Sequence, residues 1–268
     1  CLSRGLGDVY KRQMEQLSTG KRINSAADDA AGLAISSKMT AQIKGLNQAV
    51  RNANDGISLL QTAEGATQEI TNMLQRMREL AVQAANGTND ASDRSALNLE
   101  VTALKNEIDR ISNNTEWNGM KIFTNASGAI GGTTGSAKFQ VGVDGTSDDQ
   151  ISVKFDKLTT SAGGLAITSI SLANVTSAAS ALTTLDTAIA AINSDRARYG
   201  ATINRLTYAA DNLANISTNA QESRSRILDT DYAQATTELA RTQIIQQAAT
   251  AMLAQANQAP QTVLSLLR

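Results

Sequence analysis

The feature that most constrains this chain is a hydrophobic stripe of heptad spacing that runs along both of its ends. In the first half, Met39, Ile43, Leu46, Val50, Ala53, Ile57 and Leu60 follow one another at alternating steps of four and three. That alternation is the seam of a helix that packs on other helices. The seam then skips to Ala63 and resumes through Ile70, Leu74, Met77 and Ala81; a three-residue shift of this kind overwinds a coiled coil locally. Asn24-Ser25 followed by Asp28 and Asp29 predicts the helix start, a polar cap with acidic residues in the first turn. Asn86-Gly87-Thr88-Asn89-Asp90 predicts its stop. A helix from Ala30 to Ala84 is roughly 80 Å long at ~1.5 Å per residue. A compact domain cannot bury such an element alone, because the average helix has only ~11–12 residues.

The same pattern returns in the second half. Leu182, Leu185, Ile189, Ile192, Arg196, Tyr199, Ile203, Leu206, Ala210 and Leu213 keep the alternation, with Arg196 the only charged member. After a break at Leu228-Asp229-Thr230-Asp231, a Gln- and Ala-rich segment carries Arg241, Ile245, Ala249, Met252 and Ala256, and the chain ends on Val263, Leu264, Leu266 and Leu267. Two matching seams at opposite ends of one chain predict an antiparallel helical rod. Heptads report helix pairing and not function, so a monomeric long-helix spacer fits the pattern as well.

Between the two lies a different kind of sequence. Leu97, Val101, Leu104, Ile108 and Ile111 share one face of a second helix that ends near Asn113-Asn114. Asn118-Gly119 is a tight-turn signal. Phe139, Val141 and Val143, then Ile151, Val153 and Phe155, alternate with polar or small residues around the turn-rich stretch 144–149, and predict a β-hairpin. The remaining Ser, Thr, Gly and Ala of the middle region read as solvent-facing. The expected organisation is a leader over 1–13, the first half of a helical core over 14–123, the hairpin and a short variable stretch over 124–176, the second core half over 177–228, and a terminal helix over 229–268. Cys1 to Gln13 shows no helical periodicity and lacks the apolar run of a signal peptide, so it is taken as a non-native leader.

Composition narrows the chemistry. The chain has no histidine, and Cys1 is its only cysteine. His/Cys metal sites, Ser-His-Asp triads and Cys-His dyads are therefore excluded. Aromatics are only 3% of residues, which suits close helix packing better than a deep ligand pocket. The formal net charge is −1 without basic blocks, so no nucleic-acid or membrane surface is expected. No apolar run approaches the roughly 20 residues of a membrane span. No cofactor is called for.

Several long motifs, in order, spell out a family. Leu17-Ser18-Thr19-Gly20-Lys21-Arg22-Ile23-Asn24-Ser25-Ala26-Ala27-Asp28-Asp29-Ala30-Ala31-Gly32 resembles the approach to the first core helix of bacterial flagellins. The stretch 74–87 (LQRMRELAVQAANG) is similar to the end of that helix, and Glu107 to Gly119 to the next helix and turn. Ala256 to Arg268 (ANQAPQTVLSLLR) resembles the flagellin tail. The resemblance covers nearly all of 14–150 and 182–268. It implies a mainly α fold, an antiparallel coiled-coil-like core with a small β-hairpin insert, and a structural subunit that polymerises into the extracellular flagellar filament. It departs from the family in two ways: the terminal helix that family members carry first is expected to be missing, and the large variable outer domains are absent.

The resemblance also implies partners. These are further copies of the chain, packed through the seam residues Met39, Ile43, Leu46, Val50, Ile57, Leu60, Leu182, Leu185, Ile189, Ile192, Ile203, Leu206 and Leu213. A cytoplasmic export chaperone and an inner tube of neighbouring tails would take the C-terminal segment, here Ile245, Met252, Val263, Leu264 and Leu267. That segment is expected to be unpaired in the free subunit. Filament cap and hook-associated proteins, and export by the flagellar type III system, belong to the same expectation. Vertebrate Toll-like receptor 5 reads a flagellin surface whose matching positions are Gln75, Arg76, Glu79, Leu80 and Glu100; Arg76 and Leu80, four apart, would set a donor fork beside an apolar anchor. Ala103 stands where family members often carry Gln. Some flagellins are O-glycosylated centrally, which makes Ser169, Ser171, Thr176, Ser177 and Ser180 candidates.

Lesser signals carry little. Ser18-Thr19-Gly20-Lys21 lacks the first glycine of a phosphate loop, since Glu15 stands there. Asp28-Asp29 reads as a helix-start feature and Asp148-Asp149 as a loop pair. Asn125, Asn174 and Asn215 begin short N-glycosylation patterns. A hook–filament junction protein shares the helical plan, and a filament-bound metallopeptidase needs a His-Glu-x-x-His helix that this chain cannot supply.

Overall fold

The computed structural model describes residues 2–266, with side chains for 7–256. Its elements, in order, are helices α1 (Leu2–Thr19), α2 (Ala30–Ala84) and α3 (Ala91–Asn114), strands β1 (Glu116–Trp117), β2 (Met120–Lys121), β3 (Ser136–Gln140) and β4 (Gln150–Lys154), and helices α4 (Val175–Leu228) and α5 (Tyr232–Leu266). The architecture is mainly α with small antiparallel β pieces. The chain forms two compact units. One draws on residues up to Lys44 and from Ile216 onward; the other is Gly45–Asn215. The first unit draws on both ends of the chain, and the second is one continuous segment.

In the Gly45–Asn215 unit, α2 and α4 run antiparallel, as the matching seams predict. Leu46 and Ala49 pack with Leu213, Arg196 approaches Glu64 at 4.0 Å, and Arg78 Nε meets Asp186 at 2.7 Å. The numbers rise along one helix as they fall along the other. The seam residues of this unit are buried or half-buried, with Leu60, Leu185, Ile192 and Leu206 at 0% exposure. Each such side chain removed from water stabilises the unit by roughly 1.5–3 kcal/mol. From Leu59 onward the buried face of α2 widens beyond a heptad stripe, taking in Thr67, Thr71 and Leu80 as well as Leu74 and Met77. The cause is α3, which lays Val101 and Ile108 on the same core.

The hairpin sits where α2 is narrow. Its register pairs Phe139 with Ile151 and Ala137 with Val153. Asn52 Nδ2 donates to the Gln140 carbonyl at 3.1 Å. A Cβ on Gly56 would lie 3.0 Å from the Phe139 ring and 3.2 Å from Leu206, and one on Gly45 would lie 2.8 Å from Val143. The glycines leave the space into which the hairpin packs. The β1–β2 turn has φ 49° at Asn118 and 76° at Gly119, the left-handed pair that an Asn-Gly turn supplies at least strain.

The stretch 157–174 corrects an expectation. It is not solvent-facing: Leu158, Leu165, Ile167, Ile170 and Leu172 are buried. One polar face of α3 latches it. Asp109 accepts from the Thr160 N–H at 2.8 Å and hydroxyl at 2.7 Å. Lys105 Nζ donates to the carbonyls of Thr168 and Ile170 at 3.2 and 3.0 Å. Asn98 Oδ1 accepts from the Leu172 N–H at 2.9 Å. Irregular backbone can be buried only when its polar groups find partners, and these side chains provide them. Asn174 then caps α4, accepting from the Ser177 N–H at 2.7 Å.

In the other unit, α2 begins five residues later than Ser25 suggested. Asp29 is its cap, accepting from the Gly32 N–H at 2.8 Å, so the acidic pair precedes the helix rather than filling its first turn. Asp28 holds the turn before it, accepting from Ser25 N and Oγ, both at 3.0 Å. The Ser25 backbone and hydroxyl hydrogen bonds keep the Asp28 carboxyl below the usual carboxylate range.

Residues 2–19 are helical, which corrects the reading of Cys1 to Gln13 as aperiodic. α1 packs against α5. The residue at the centre of that contact is Gln13, only 7% exposed. Its Oε1 accepts from the Thr242 hydroxyl at 2.7 Å. Leu2, Leu6, Val9, Tyr10 and Leu17 recur at helical spacing around it, a stripe that the sequence reading passed over because Gln13 interrupts it.

Candidate functional site

The residues singled out in the sequence fall on three surfaces. The first is the α1–α5 pair. A short backbone bridge joins the two chain reversals: Arg22 N–H donates to Leu228 O at 2.6 Å, and Thr230 N–H to Gly20 O at 3.0 Å. Arg22 Nη2 also reaches the Ile227 carbonyl at 2.9 Å. Ala235 and Thr242 turn toward α1 and are buried. From Gln243 to Ala256 every residue of α5 is exposed. Ile244 and Leu253 are 65% and 64% exposed, Ile245 and Met252 41% and 70%. The tail is therefore helical and paired in its first turns, and not unpaired throughout as the sequence suggested. The side chains of Val263 and Leu264, and all of Leu267, lie outside the described residues.

The second surface is where α2 meets α3. Arg76 Nη1 binds Glu79 at 3.0 Å and its Nε binds Glu100 at 2.9 Å. The hydrogen bond that Arg76 donates to Glu100, then the one it donates to Glu79, holds its guanidinium above its usual pKa. Gln75, Arg76, Glu79 and Glu100 are exposed together, but Leu80 is only 1% exposed. Leu80 cannot be the apolar anchor expected of it, because α3 covers that side of α2. Val82 on α2 and Leu99 on α3 are large apolar side chains left outside, 51% and 71% exposed.

The third is the start of α4. Ser169, Thr176 and Ser180 are exposed, while Ser171 and Ser177 are half-buried. Ser180 Oγ is engaged with the Thr176 carbonyl at 3.1 Å. The seam residues, in contrast, face inward in each unit. Met39 and Ile43 are half-buried and buried in one unit, and the rest line the core of the other. α4 contains an 18-residue window with mean hydropathy 1.3, long and apolar enough to cross a membrane. The sequence reading passed over that window because alanine dilutes its larger apolar residues; Leu185 and Ile192 of α4 are spent on the core.

A polar cluster escaped the sequence reading. Arg198 Nη2 donates to both Asp156 and Asp195, and Lys154 Nζ lies 2.7 Å from Asp156. Burial pushes the Asp195 carboxyl up, against the pull of Arg198. Asp156 is held down in spite of its own burial, by hydrogen bonds from Lys154 and Arg198. Nothing in the spacing of these residues marked them, since they come from a strand end and a helix far apart in the chain. Among the described residues no group of three or more His, Cys, Asp or Glu could hold a metal ion.

Residues 8–127 match the bacterial flagellin N-terminal helical region and residues 182–267 the C-terminal helical region. A flagellin of Halalkalibacterium halodurans is 47% identical over 258 residues, spanning 96% of this chain and 92% of its own. The chain belongs to the bacterial flagellin family. Flagellin A of Vibrio anguillarum is 37% identical, covering 100% of this chain and 96% of its own. The crystal structure of a Bacillus cereus flagellin superposes with a TM-score of 0.53 at 36% identity, over 61% of this chain and 88% of that one. A flagellar hook-associated protein of Vibrio parahaemolyticus shares the fold at a TM-score of 0.63 and 16% identity, over 75% of this chain and 100% of that one. As a flagellin, the chain is a structural subunit that polymerises into the extracellular flagellar filament, and it is not an enzyme. The N-terminal flagellin match begins at residue 8, inside the segment expected to be a leader, and includes most of α1.

Proposed function

We propose that this flagellin polymerises through α5, while its inward seam only holds each subunit together. The observation that carries this is the run of exposed apolar side chains beyond Thr242: Ile244, Ile245, Met252 and Leu253. A contact between that run and a different face of the next copy is heterologous, does not close, and propagates as a helix. The tail, with Val263, Leu264 and Leu267 at its end, is also what a cytoplasmic chaperone would cover before export through the flagellar type III system. Filament cap and hook-associated proteins would receive the same segment. Limited chymotrypsin digestion tests the reading. Monomer is expected to be cut near Leu253 and the salt-assembled polymer to resist. A monomer as resistant as polymer would overturn it.

A second reading rests on the Arg76 cluster. Three exposed charges, tied together at 3.0 and 2.9 Å, form a fixed donor–acceptor patch of the kind Toll-like receptor 5 would read, with Gln75 beside it. Leu80 supports that patch from beneath. Arg76→Ala is expected to weaken signalling in a receptor reporter assay by roughly ten-fold, in line with ~1–2 kcal/mol for an interface arginine. Unchanged signalling removes the assignment. Glycans on Ser169, Thr176 or Ser180, more accessible than Ser171 and Ser177, are part of the same surface proposal.

A further inference from the structure

The cleft beside Arg198 has a chemical character of its own. It holds about 590 Å³ and is lined by Asn125, Lys154, Lys157, Ser194, Asp195 and Arg198, among others. Its carboxylates are already satisfied. One Asp156 oxygen takes Lys154 and the other Arg198; Asp195 takes Arg198 and is 4% exposed. Its donors are not. Arg198 commits only Nη2, so Nη1 takes no part in either bond. Lys157 has no ion pair among the described residues, and its Nζ lies 3.9 Å from where a Cβ on Gly163 would sit. The Gly163 N–H, in the bend that closes over the cleft, also has no acceptor among them. The lining carries three cations against two anions; Asp195 is buried, and Asp156, about a third exposed, is held by Lys154 and Arg198. The groups left without a partner are the Lys157 ammonium, the Arg198 guanidinium edge, the Gly163 N–H and the exposed Ser194 hydroxyl, with Asn125 Oδ1 as an acceptor.

We propose that this cleft binds a small tetrahedral oxyanion, either free or as the head group of a compact ester. Arginine and lysine with a backbone N–H are the donor set that such oxygens select. A metal ion is disfavoured because both carboxylates are neutralised by cations. A nucleobase is disfavoured because no aromatic side chain lines the cleft. A bound oxyanion would join the 157–174 stretch to α4 through Lys157 and Arg198. This site is separate from the assembly surfaces on α5 and from the Arg76 patch.

The test uses the full chain as monomer, labelled with nitrogen-15. Inorganic phosphate and glycerol 3-phosphate are each titrated at constant ionic strength, with chloride as the exchanged anion. Saturable movement of the Gly163 amide resonance is expected, and Lys157→Gln should weaken the apparent affinity at least about five-fold while leaving the melting temperature unchanged. Saturation by both compounds means that the free anion suffices; saturation by the ester alone assigns the site to an ester. Either supports the site. Linear, non-saturating shifts with both compounds, or equal affinity in Lys157→Gln, would overturn it.

Discussion

Tyr199→Ala should lower the unfolding free energy of the monomer by about 3–5 kcal/mol, whereas Tyr199→Phe should cost nothing and gain up to about 1 kcal/mol. Tyr199 is fully buried, and its ring packs on Phe155 with centroids 5.5 Å apart. Phe155 follows β4 and Tyr199 lies on α4, so one aromatic contact ties the hairpin to the helical core. Truncation to alanine removes that contact and opens a cavity in a core that is mostly aliphatic. The chain has few other aromatic side chains with which to refill it. The hydroxyl is a different matter. It is buried without a hydrogen-bond partner, and burial raises its pKa by penalising the phenolate. Its desolvation is therefore an unrecovered cost in the folded state, and phenylalanine would remove that cost while keeping the ring. Urea unfolding followed by circular dichroism measures both variants. If Tyr199→Phe destabilises by more than about 1 kcal/mol, the hydroxyl has a partner, such as a buried water, and the argument fails.

How far the sequence could be read depended on whether a residue's partner repeats with the helix. The bounds of α2 at Ala84 and of α3 at Asn114 follow the predicted stops, because Asn-Gly and Asn-Asn breaks act locally. Alternation marked Phe139, Ile151 and Val153 as strand residues, but the β3–β4 register, and the end of β3 at Gln140 short of Val141 and Val143, needed the fold. Leu80 failed for the opposite reason. A two-helix seam puts Met77 and Ala81 inside and Leu80 at the edge; only the arrival of a third helix buries it. The stretch 157–174 failed because its burial depends on Asn98, Lys105 and Asp109, polar residues whose partners lie about 50 to 75 positions away. α1 was legible in Leu2, Leu6, Val9, Tyr10 and Leu17 but was passed over, because the polar Gln13 interrupts that stripe and packs through hydrogen bonds. The Arg76 cluster was half legible: the motif named its residues, but the bond to Glu100 needed the fold. The Arg198 cleft was not legible at all, since Asp156 and Asp195 meet only after β4 and α4 pack.

Ile245→Asp and Met252→Asp are each expected to abolish filament assembly while leaving the monomer's stability within about 0.5 kcal/mol of the parent. Both residues are exposed in the subunit, at 41% and 70%, so neither contributes a core contact that its loss could break. They lie seven residues apart, on one face of α5, with Ile244 and Leu253 exposed on opposite flanks of that face. An apolar surface on two sides of one helix calls for more than one neighbour, as a filament interior provides. Burying an isoleucine or methionine there is worth roughly 1.5–3 kcal/mol. At ~1.4 kcal/mol per factor of ten, losing one such contact raises the critical concentration by about ten- to a hundred-fold. An aspartate buried in its place adds the desolvation of an unpaired charge and pushes the loss well beyond that. Gln247→Asp places the same charge on α5 without removing an apolar side chain, and should assemble far better than either. Electron microscopy and sedimentation after salt-induced assembly read all three. Assembly of Ile245→Asp and Met252→Asp at the parent's critical concentration would show that α5 is not the polymerising surface. Equal failure of Gln247→Asp would show that charge, and not the apolar run, governs the contact.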